Sequence, residues 1–297
     1  MKQLRFYVLV FTAFIIVGPD GVVRAEEGYF KASGVTIRYI SVGKGETIVL
    51  LHGFAANAEM WENNPIAKTK VFSELAKDFH VVAMDCRGHG KSDKPHDPKM
   101  YGKEMVKDVI RLLDHLKVKK AHIVGYSMGA EIAGNLLVTY PKRLLSVTMG
   151  GGTVLFEPSK ESVAMTNLTA ASLEEGKGIA PVIIAGVPPG IPKPSQEIAD
   201  AISRAVIGNQ DQKALAASIR GSLRTEVTEA QLKANRVPAL ILYGSRDGGE
   251  VVQKRYNRIA QLLNAQVKVV EGGDHVGTYG MPDFLEAVKT FIRNSRK

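Results

Sequence analysis

Cysteine is nearly absent from this sequence, since its 297 residues contain only Cys86. An intramolecular disulfide is therefore excluded, and a hydrophobic core has to hold the fold together. A chain of this length can bury such a core, as an α/β domain with one insertion. Cys86 follows an apolar run, and we interpret it as a small buried side chain rather than a reactive thiol.

The N-terminal apolar run, residues 6–17, is shorter than the roughly 20 residues that a helix needs to span a membrane. A basic start with Lys2 and Arg5 precedes it, and small or modest residues follow up to Ala25. This order predicts a secretory signal peptide over residues 1–25, cleaved after Ala25, and hence an exported protein, periplasmic or extracellular. An uncleaved anchor or a tail is the alternative, and no cysteine follows that would suit a lipid anchor.

Acidic residues are outnumbered by Lys and Arg, which gives the chain a formal net charge of +9. A nucleic-acid-binding protein would gather such charge with aromatic residues on one stripe, whereas Lys and Arg are scattered here. We therefore expect no nucleic-acid partner, no stable membrane insertion and a mildly basic surface. The oligomeric state, monomer or dimer, is left open.

No internal repeat is present, and short apolar runs alternate with amphipathic stretches. The apolar runs suit strands of a parallel sheet buried on both faces, and they cover residues 35–41, 47–51, 79–84, 121–124, 145–149, 239–243 and 266–270. Apolar residues at helical spacing occur between them, at residues 70–77, 103–116, 130–139, 251–263 and 283–294. The alternation predicts an α/β fold, with a mostly parallel central sheet flanked by helices.

The alternation stops over residues 153–237. Helical patterns take its place at residues 160–175, 196–207 and 211–223, and a proline-rich loop over residues 181–194 lies between the first two. We interpret residues 153–237 as a helical cap inserted into a core built from residues 26–152 and 238–297, because the strand pattern resumes cleanly at Pro238. Additional helices of the main domain are the alternative.

A serine stands between glycines in Gly125-Tyr-Ser-Met-Gly129, which fits the pattern G-x-S-x-G. This pattern requires a preceding strand and a following helix, because the tight turn leaves no room for a side chain at either glycine and exposes the hydroxyl of Ser127. A bare serine is a weak nucleophile and needs a base, an acid that orients the base and donors for an oxyanion. The pattern therefore predicts three further groups elsewhere in the chain.

His275 is the predicted base, because it alone among seven histidines lies late in the chain, in a glycine-rich turn after a predicted strand. A surface histidine is the alternative. Asp247 follows the preceding predicted strand and is the predicted orienting acid, which gives the chain order Ser, Asp, His. Asp274 and Glu250 are weaker candidates, since Asp274 adjoins the histidine and Glu250 starts the next helix.

Two backbone amides are predicted to form the oxyanion hole. Met128 follows the serine, and Phe54 lies in the loop after an early strand, where Gly53 lets the backbone approach a substrate. The side chains of Phe54, Trp61 and Met128 are predicted to bind substrate. Apolar cap residues could also line an acyl site or simply pack the cap onto the body: Met165, Leu168, Val182, Ile183, Ile184 and Val187.

Short motifs occur in chain order as HGF at residues 52–54, DCRGHGKS at 85–92, GYSMG at 125–129, YGSRD at 243–247 and GGDH at 272–275. Together they resemble the α/β-hydrolase fold superfamily, over about residues 29–295. The resemblance implies a Ser-His-Asp hydrolase with a helical cap and without a metal or organic cofactor. It also implies that Asp85, Arg87 and His89 belong to a structural turn, with contact between Arg87 and the oxyanion loop as the alternative.

The serine at this turn excludes the members of the superfamily that use an aspartate there, the haloalkane dehalogenases and epoxide hydrolases. The residues imply acyl transfer from a small or medium carboxylic ester, in which Ser127 attacks, His275 takes its proton and Asp247 holds the imidazole. A carbon–carbon bond hydrolase, a lactonase, a perhydrolase or a thioesterase would carry the same triad. A catalytically silent binding protein on this fold and a membrane-surface structural protein are alternatives of another class.

Overall fold

The computed structural model describes residues 12–18, 21–63, 69–187 and 192–295. Its strands are β1 (Thr12–Gly18), β2 (Gly21–Ala32), β3 (Val35–Val42), β4 (Thr47–Leu51), β5 (His80–Met84), β6 (Ala121–Tyr126), β7 (Leu144–Gly150), β8 (Ala239–Gly244) and β9 (Gln266–Val270). Its helices are α1 (Val71–Ala76), α2 (Lys103–His115), α3 (Met128–Thr139), α4 (Lys160–Glu174), α5 (Ala180–Ala185), α6 (Gln196–Ile207), α7 (Gln212–Ser222), α8 (Glu229–Lys233), α9 (Gly249–Leu263) and α10 (Pro282–Asn294).

The strands form one sheet in the order β1-β2-β3-β5-β4-β6-β7-β8-β9. Its centre is parallel, with Leu50 of β4 opposite Ala83 of β5 on one side and Val124 of β6 on the other. β7, β8 and β9 continue in parallel beyond β6, whereas β1, β2 and β3 are antiparallel additions next to β5. The predicted α/β fold class with a mostly parallel sheet is confirmed.

Side chains that alternate along the central strands divide the core into two layers. In β4, Val49 and Leu51 belong to the layer with α2, α3 and α9, whereas Ile48 and Leu50 belong to the layer with α1 and α10. Because successive strand residues point to opposite faces, a sheet covered on both faces requires a continuous apolar run. The carboxyl ends of β4, β6 and β8 then meet at one edge of the sheet, where the connecting loops emerge.

β9 departs from the expected burial on both faces. Its first four residues are exposed and only Val270 is buried. Among the strands that the structure describes, β9 is at the outer edge of the sheet and has a neighbouring strand, β8, on one side. The expectation is wrong for this strand, because an apolar sequence does not reveal its place in the sheet.

Two strands precede those expected from the sequence. β2 pairs with β3 from Glu26 opposite Ser41 to Ala32 opposite Val35, and residues 21–27 of β2 pair with β1. The structure therefore adds part of the predicted signal peptide to the sheet as an outer ribbon. Cleavage after Ala25 stays a prediction, and it would leave the β2–β3 pairing intact.

Between β7 and β8 the described residues form helices α4 to α8 and no strand. α5 lies where the sequence predicts the start of a loop, and that part of the prediction is wrong. Pro181 occupies the first turn of α5, where a missing N–H costs no helical hydrogen bond. α8, also not predicted, starts with a capping box between Thr228 and Gln231. Residues 188–191 of the predicted loop lie outside the described residues, and the boundaries of a cap domain stay a prediction.

Candidate active site

Ser127 lies on a sharp turn between β6 and α3. Its backbone has φ +52° and ψ −113°, a strained conformation for a residue with a side chain. Glycine is required on both sides, since a Cβ on Gly125 would lie 2.0 Å from the Gly129 carbonyl oxygen, and one on Gly129 would lie 2.1 Å from that of Leu51. The Ser127 amide donates to the Gly150 carbonyl oxygen at 2.8 Å, which anchors the turn to β7.

His275 brings the other two predicted triad residues together. Its Nε2 lies 3.0 Å from Ser127 Oγ, and its Nδ1 lies 3.0 Å from Asp247 Oδ1. An ionised carboxylate can only accept, so Nδ1 carries the proton and the Nε2 lone pair faces the serine hydroxyl. The arrangement is that of a nucleophile, a general base and an orienting carboxylate. Elsewhere in the described ranges, no group of three or more His, Cys, Asp or Glu side chains is placed to hold a metal ion.

Hydrogen bonds hold the loop of His275 over the serine. The Tyr126 hydroxyl donates to the His275 carbonyl oxygen at 2.8 Å. Asp274 accepts from the amides of Val276 and Gly277 at 3.1 and 2.8 Å, so its carboxylate turns back on its own loop. Asp274 is therefore not the partner of the imidazole.

The amides of Phe54 and Met128 have no hydrogen-bond acceptor within the described part of the chain. Met128 is the first residue of α3, where an amide has no intrahelical partner. The loop of Phe54 passes beside the serine, since a Cβ on Gly53 would lie 3.5 Å from Ser127 Cβ. Both amides are therefore available to an oxygen atom held next to the serine.

His52, which sequence reasoning did not single out, fastens this loop. Its Nε2 accepts from the Cys86 amide at 3.0 Å, and its Nδ1–H donates to the Gly53 carbonyl oxygen at 2.7 Å. Burial lowers the pKa of His52 to about 4, so the ring is neutral at pH 7. The signal in the sequence is its place beside Gly53, directly after β4.

The polar residues of the predicted structural turn are buried. Asp85 accepts from the Ala58 amide at 2.7 Å. Arg87 binds Asp108 on α2 with two hydrogen bonds, of 2.6 and 2.7 Å, and its carbonyl oxygen accepts from His89 Nδ1 at 3.1 Å. The guanidinium of Arg87 thus joins the turn to α2 rather than to the oxyanion loop.

A cavity of about 360 Å³ opens in front of Ser127. Two of the three side chains predicted to bind substrate, Phe54 and Met128, line it. Serine and threonine residues of helices and loops line it, namely Thr153, Ser162, Thr166, Ser218, Ser222 and Thr225, together with apolar side chains such as Ile132, Val154 and Leu155. Such a mixed wall suits a substrate that has both polar and apolar groups.

The prediction that the Trp61 side chain binds substrate is wrong. Its side chain is 1% exposed and packs against Tyr279 and Phe284, with ring centroids 5.9 and 6.4 Å away. It belongs to the core layer of α1 and α10 rather than to the wall of the cavity. The sequence does not distinguish core packing from substrate binding for this residue, because a tryptophan shortly after the oxyanion loop is compatible with both.

Three of the apolar cap residues line a second cavity, of about 590 Å³. Val182, Ile183 and Val187 form it together with Phe54, which lines both cavities. Among the described residues, the other three apolar candidates line neither, namely Met165, Leu168 and Ile184. The apolar part of the cap therefore meets the catalytic cavity through Phe54.

Two charged residues that sequence reasoning missed line the cavity of Ser127. Glu131 lies one helical turn after the serine on α3, and Arg255 lies on α9. Burial raises the pKa of Glu131 to about 7, although a hydrogen bond with Thr225 and attraction by Arg255 lower it. Glu131 is four residues after Ser127, and this helical spacing could have predicted that both face the same cavity. No sequence pattern predicts that Arg255 lies in that cavity.

Comparisons with known proteins support the α/β hydrolase fold. A model of the α/β hydrolase fold family matches residues 46–175. The dihydrolipoyllysine-residue acetyltransferase component of the acetoin cleaving system of Cupriavidus necator is 36% identical over 39% of this chain, a match that spans 29% of that protein's length. 3-Oxoadipate enol-lactonase 2 of Acinetobacter baylyi is 23% identical over 88% of this chain and 95% of its own. The structure of a thermophilic esterase from Thermogutta terrifontis, with malate bound, is similar with a TM-score of 0.71, at 21% identity, over 96% of this chain and 100% of that chain.

Proposed function

Because the chain belongs to the α/β-hydrolase fold superfamily, we propose that it is a serine hydrolase that cleaves small or medium carboxylic esters through an acyl-enzyme on Ser127. The observation that carries the proposal is the continuous array from Ser127 Oγ through the His275 ring to Asp247 Oδ1, with both contacts at 3.0 Å. Serine, imidazole and carboxylate in this order are the groups that acyl transfer requires. A silent binding protein on this fold would be expected to lack one of them.

In the first step the Ser127 hydroxyl attacks the carbonyl carbon of the ester. His275 Nε2 accepts the proton that the hydroxyl loses, and Asp247 stabilises the imidazolium that forms. Asp247 is 3% exposed, so little water screens this attraction. The amides of Phe54 and Met128 donate to the carbonyl oxygen as its negative charge develops, and the N-terminus of α3 adds a favourable dipole.

The tetrahedral intermediate collapses when His275 gives the proton to the departing alcohol oxygen. The acyl group stays on Ser127 until a water molecule, deprotonated by His275, attacks its carbonyl carbon. A second collapse releases the acid and restores the serine hydroxyl. Every proton passes through Nε2, so the imidazole has to keep its Nδ1 proton on the side of Asp247 in both steps.

Lactones are a second candidate substrate class. A cavity of about 360 Å³ in front of Ser127 suits a compact molecule such as a small ring. The Acinetobacter baylyi relative, 23% identical, is named an enol-lactonase. In a lactone the alcohol stays attached to the acyl group, so the same two-step chemistry opens the ring.

Hydrolysis of 4-nitrophenyl esters from acetate to palmitate by the purified protein tests the proposal. We expect turnover of short and medium chains, and a loss of at least about a thousandfold in Ser127→Ala. Ser295→Ala is a matched control, because it removes a hydroxyl that donates to the Phe291 carbonyl oxygen near the end of α10, away from the triad. This variant should keep the activity of the wild type.

A fluorophosphonate probe, which labels activated serines, separates the remaining outcomes. If Ser127 is labelled but no ester or lactone is turned over, the triad is active and the substrate class is wrong. If neither labelling nor turnover occurs, acyl transfer itself is wrong, and a binding protein on this fold becomes the better account.

We also propose that the protein is exported after cleavage at Ala25. The basic start, the apolar run and the small residue at Ala25 support this, and the β2–β3 pairing begins only at Glu26. Of the helices in the described ranges, none has the length and apolar character to cross a membrane. N-terminal sequencing of the protein recovered from the periplasm or medium should give Glu26 as the first residue, and a start at Met1 would contradict the cleavage.

A further inference from the structure

Arg255 is a cation in the catalytic cavity that the acyl-transfer steps do not use. Its Nη2 makes one long contact, 3.4 Å, with the Val154 carbonyl oxygen, and its Nε is buried without a hydrogen-bond acceptor in the described part of the chain. By contrast, Lys254 and Arg258 on the same helix form ion pairs on the surface. A buried N–H without an acceptor is costly, so a ligand that supplies the acceptor would bind favourably at Arg255.

Glu131 is an acidic side chain in the same wall, and its burial favours the neutral form. Thr225 Oγ1 lies 2.5 Å from Glu131 Oε1 and 2.6 Å from the Ser222 carbonyl oxygen. Donation of the hydroxyl proton to the carboxyl oxygen favours the charged form and lowers the pKa of Glu131. Burial acts in the opposite direction and outweighs this hydrogen bond, so the pKa is raised to about 7.

With its pKa raised to about 7, Glu131 compensates the positive charge of Arg255 only in part near pH 7. Tyr256, which also lines the cavity, stays neutral because burial raises its pKa. The remaining charge near the serine is that of Asp247, which is hydrogen-bonded to His275. The wall of the cavity therefore presents a guanidinium whose buried Nε has no acceptor among the described residues.

We propose that Arg255 forms a subsite for a carboxylate, and that the substrates of this enzyme are esters or lactones with a carboxylate group away from the bond that is cleaved. This inference rests on the proposed function and names its substrate class. A guanidinium presents N–H groups in one plane, which match the two oxygens of a carboxylate. A carboxylate bound there accepts from Nε, the donor that has no acceptor among the described residues.

Two pairs of esters locate the carboxylate in the substrate. Mono-4-nitrophenyl glutarate carries it in the acyl part and is compared with 4-nitrophenyl hexanoate. 4-Acetoxybenzoate carries it in the alcohol part and is compared with its methyl ester. In each pair the measured quantity is the ratio of kcat/KM for the charged member to that for the neutral member, so effects on the triad cancel.

Arg255→Gln removes the charge from the subsite. We expect it to lower this ratio by about tenfold to a hundredfold in at least one pair, through KM, which is the loss typical of a hydrogen bond to a charged group. Arg255→Lys keeps the charge without the planar group and should give an intermediate ratio. Lys254→Gln, which removes an exposed charge from the same helix, is the matched control and should leave the ratio unchanged.

A ratio within about twofold of the wild type in both pairs would overturn the subsite, provided that circular dichroism shows a folded variant. If Arg255→Gln does not fold, the same ratio is measured for Arg255→Lys, and a value within about twofold of the wild type in both pairs would overturn the subsite. The ratio distinguishes a binding role from a structural one, because a general loss of folded protein changes both members of a pair equally.

Direct binding separates this inference from the proposed function. Calorimetric titration of Ser127→Ala with glutarate and with 4-hydroxybenzoate, the products of the charged esters, needs no turnover. We expect at least one of them to bind, and to bind at least about tenfold more weakly when Arg255→Gln is added. Equal binding in both variants, or none in Ser127→Ala, overturns the subsite even if esters are hydrolysed. Binding that depends on Arg255 without any ester hydrolysis supports the subsite and rejects acyl transfer.

Discussion

The neutral form of Glu131 has a consequence for stability that the variant Glu131→Gln isolates. Burial raises the pKa of this carboxyl to about 7 in the folded protein, from 4.5 for an ordinary glutamate. Between these two values the folded chain holds a proton that the unfolded chain has released. The free energy of unfolding therefore falls as the pH rises through this range, because the unfolded state binds fewer protons. The contribution is complete below pH 4.5 and is lost as the pH passes about 7.

The magnitude follows from the two pKa values. A change from 4.5 to about 7 corresponds to about 3 kcal/mol in the free energy of unfolding. Roughly 2 kcal/mol of it falls between pH 5 and pH 8, after allowance for water that enters the cavity. Glutamine has nearly the same shape and does not ionise, so the variant lacks this loss. His52 and His89, whose pKa values burial lowers to about 4 and about 3, are common to both proteins and cancel in the difference.

Urea unfolding at a series of pH values from 5 to 8 gives the free energy of unfolding of each protein. The value for Glu131→Gln minus that for the wild type should rise by roughly 2 kcal/mol across the series. Glu197→Gln, which changes an exposed glutamate on α6, is the control and should give a nearly constant difference. A constant difference for Glu131→Gln as well would show that this carboxyl is ionised throughout, and it would refute the reasoning from burial.

Three further substitutions test the turn, the core and the triad. Gly129→Ala places a methyl group 2.1 Å from the Leu51 carbonyl oxygen, so both the melting temperature and kcat/KM for short esters should fall, and an unchanged kcat/KM would mean that the turn accepts a side chain. Trp61→Ala should lower the free energy of unfolding in urea by about 3–5 kcal/mol and leave KM for short esters unchanged, whereas a raised KM with little destabilisation would return Trp61 to the substrate site. Asp247→Asn favours the wrong imidazole tautomer and should lower kcat by about ten-thousandfold, and a loss of less than tenfold would show that another acid orients His275.

The strands and helices around the sheet follow from local patterns in the sequence. The apolar run at residues 47–51 and the helical pattern at residues 196–207 coincide with β4 and α6. Both patterns depend on the period at which side chains return to one face, which is a property of neighbours in the chain. The prediction is wrong where position in the sheet matters, as in β9, because exposure depends on whether another strand or helix lies alongside.

The reacting residues of the candidate site also follow from local patterns in the sequence. The G-x-S-x-G pattern indicates a strained turn at Ser127 because two glycines and a strand-to-helix change are local features, and the order of predicted strands points to Asp247 and His275. The structure brings these three side chains within hydrogen-bond distance of one another. The residue types that follow the predicted strands are thus enough to predict the reacting groups, because the carboxyl ends of parallel strands lie at one edge of the sheet.

What the cavity holds beyond the reacting groups was decided by the tertiary structure alone. Trp61 lies in the core because the rings of Tyr279 and Phe284 come from a distant part of the chain to cover it. Arg255 shares a cavity with Glu131 because α9 and α3 pack on the same face of the sheet. A pKa depends on the density of atoms and charges around a group, and these come from contacts between distant segments, which no local pattern contains.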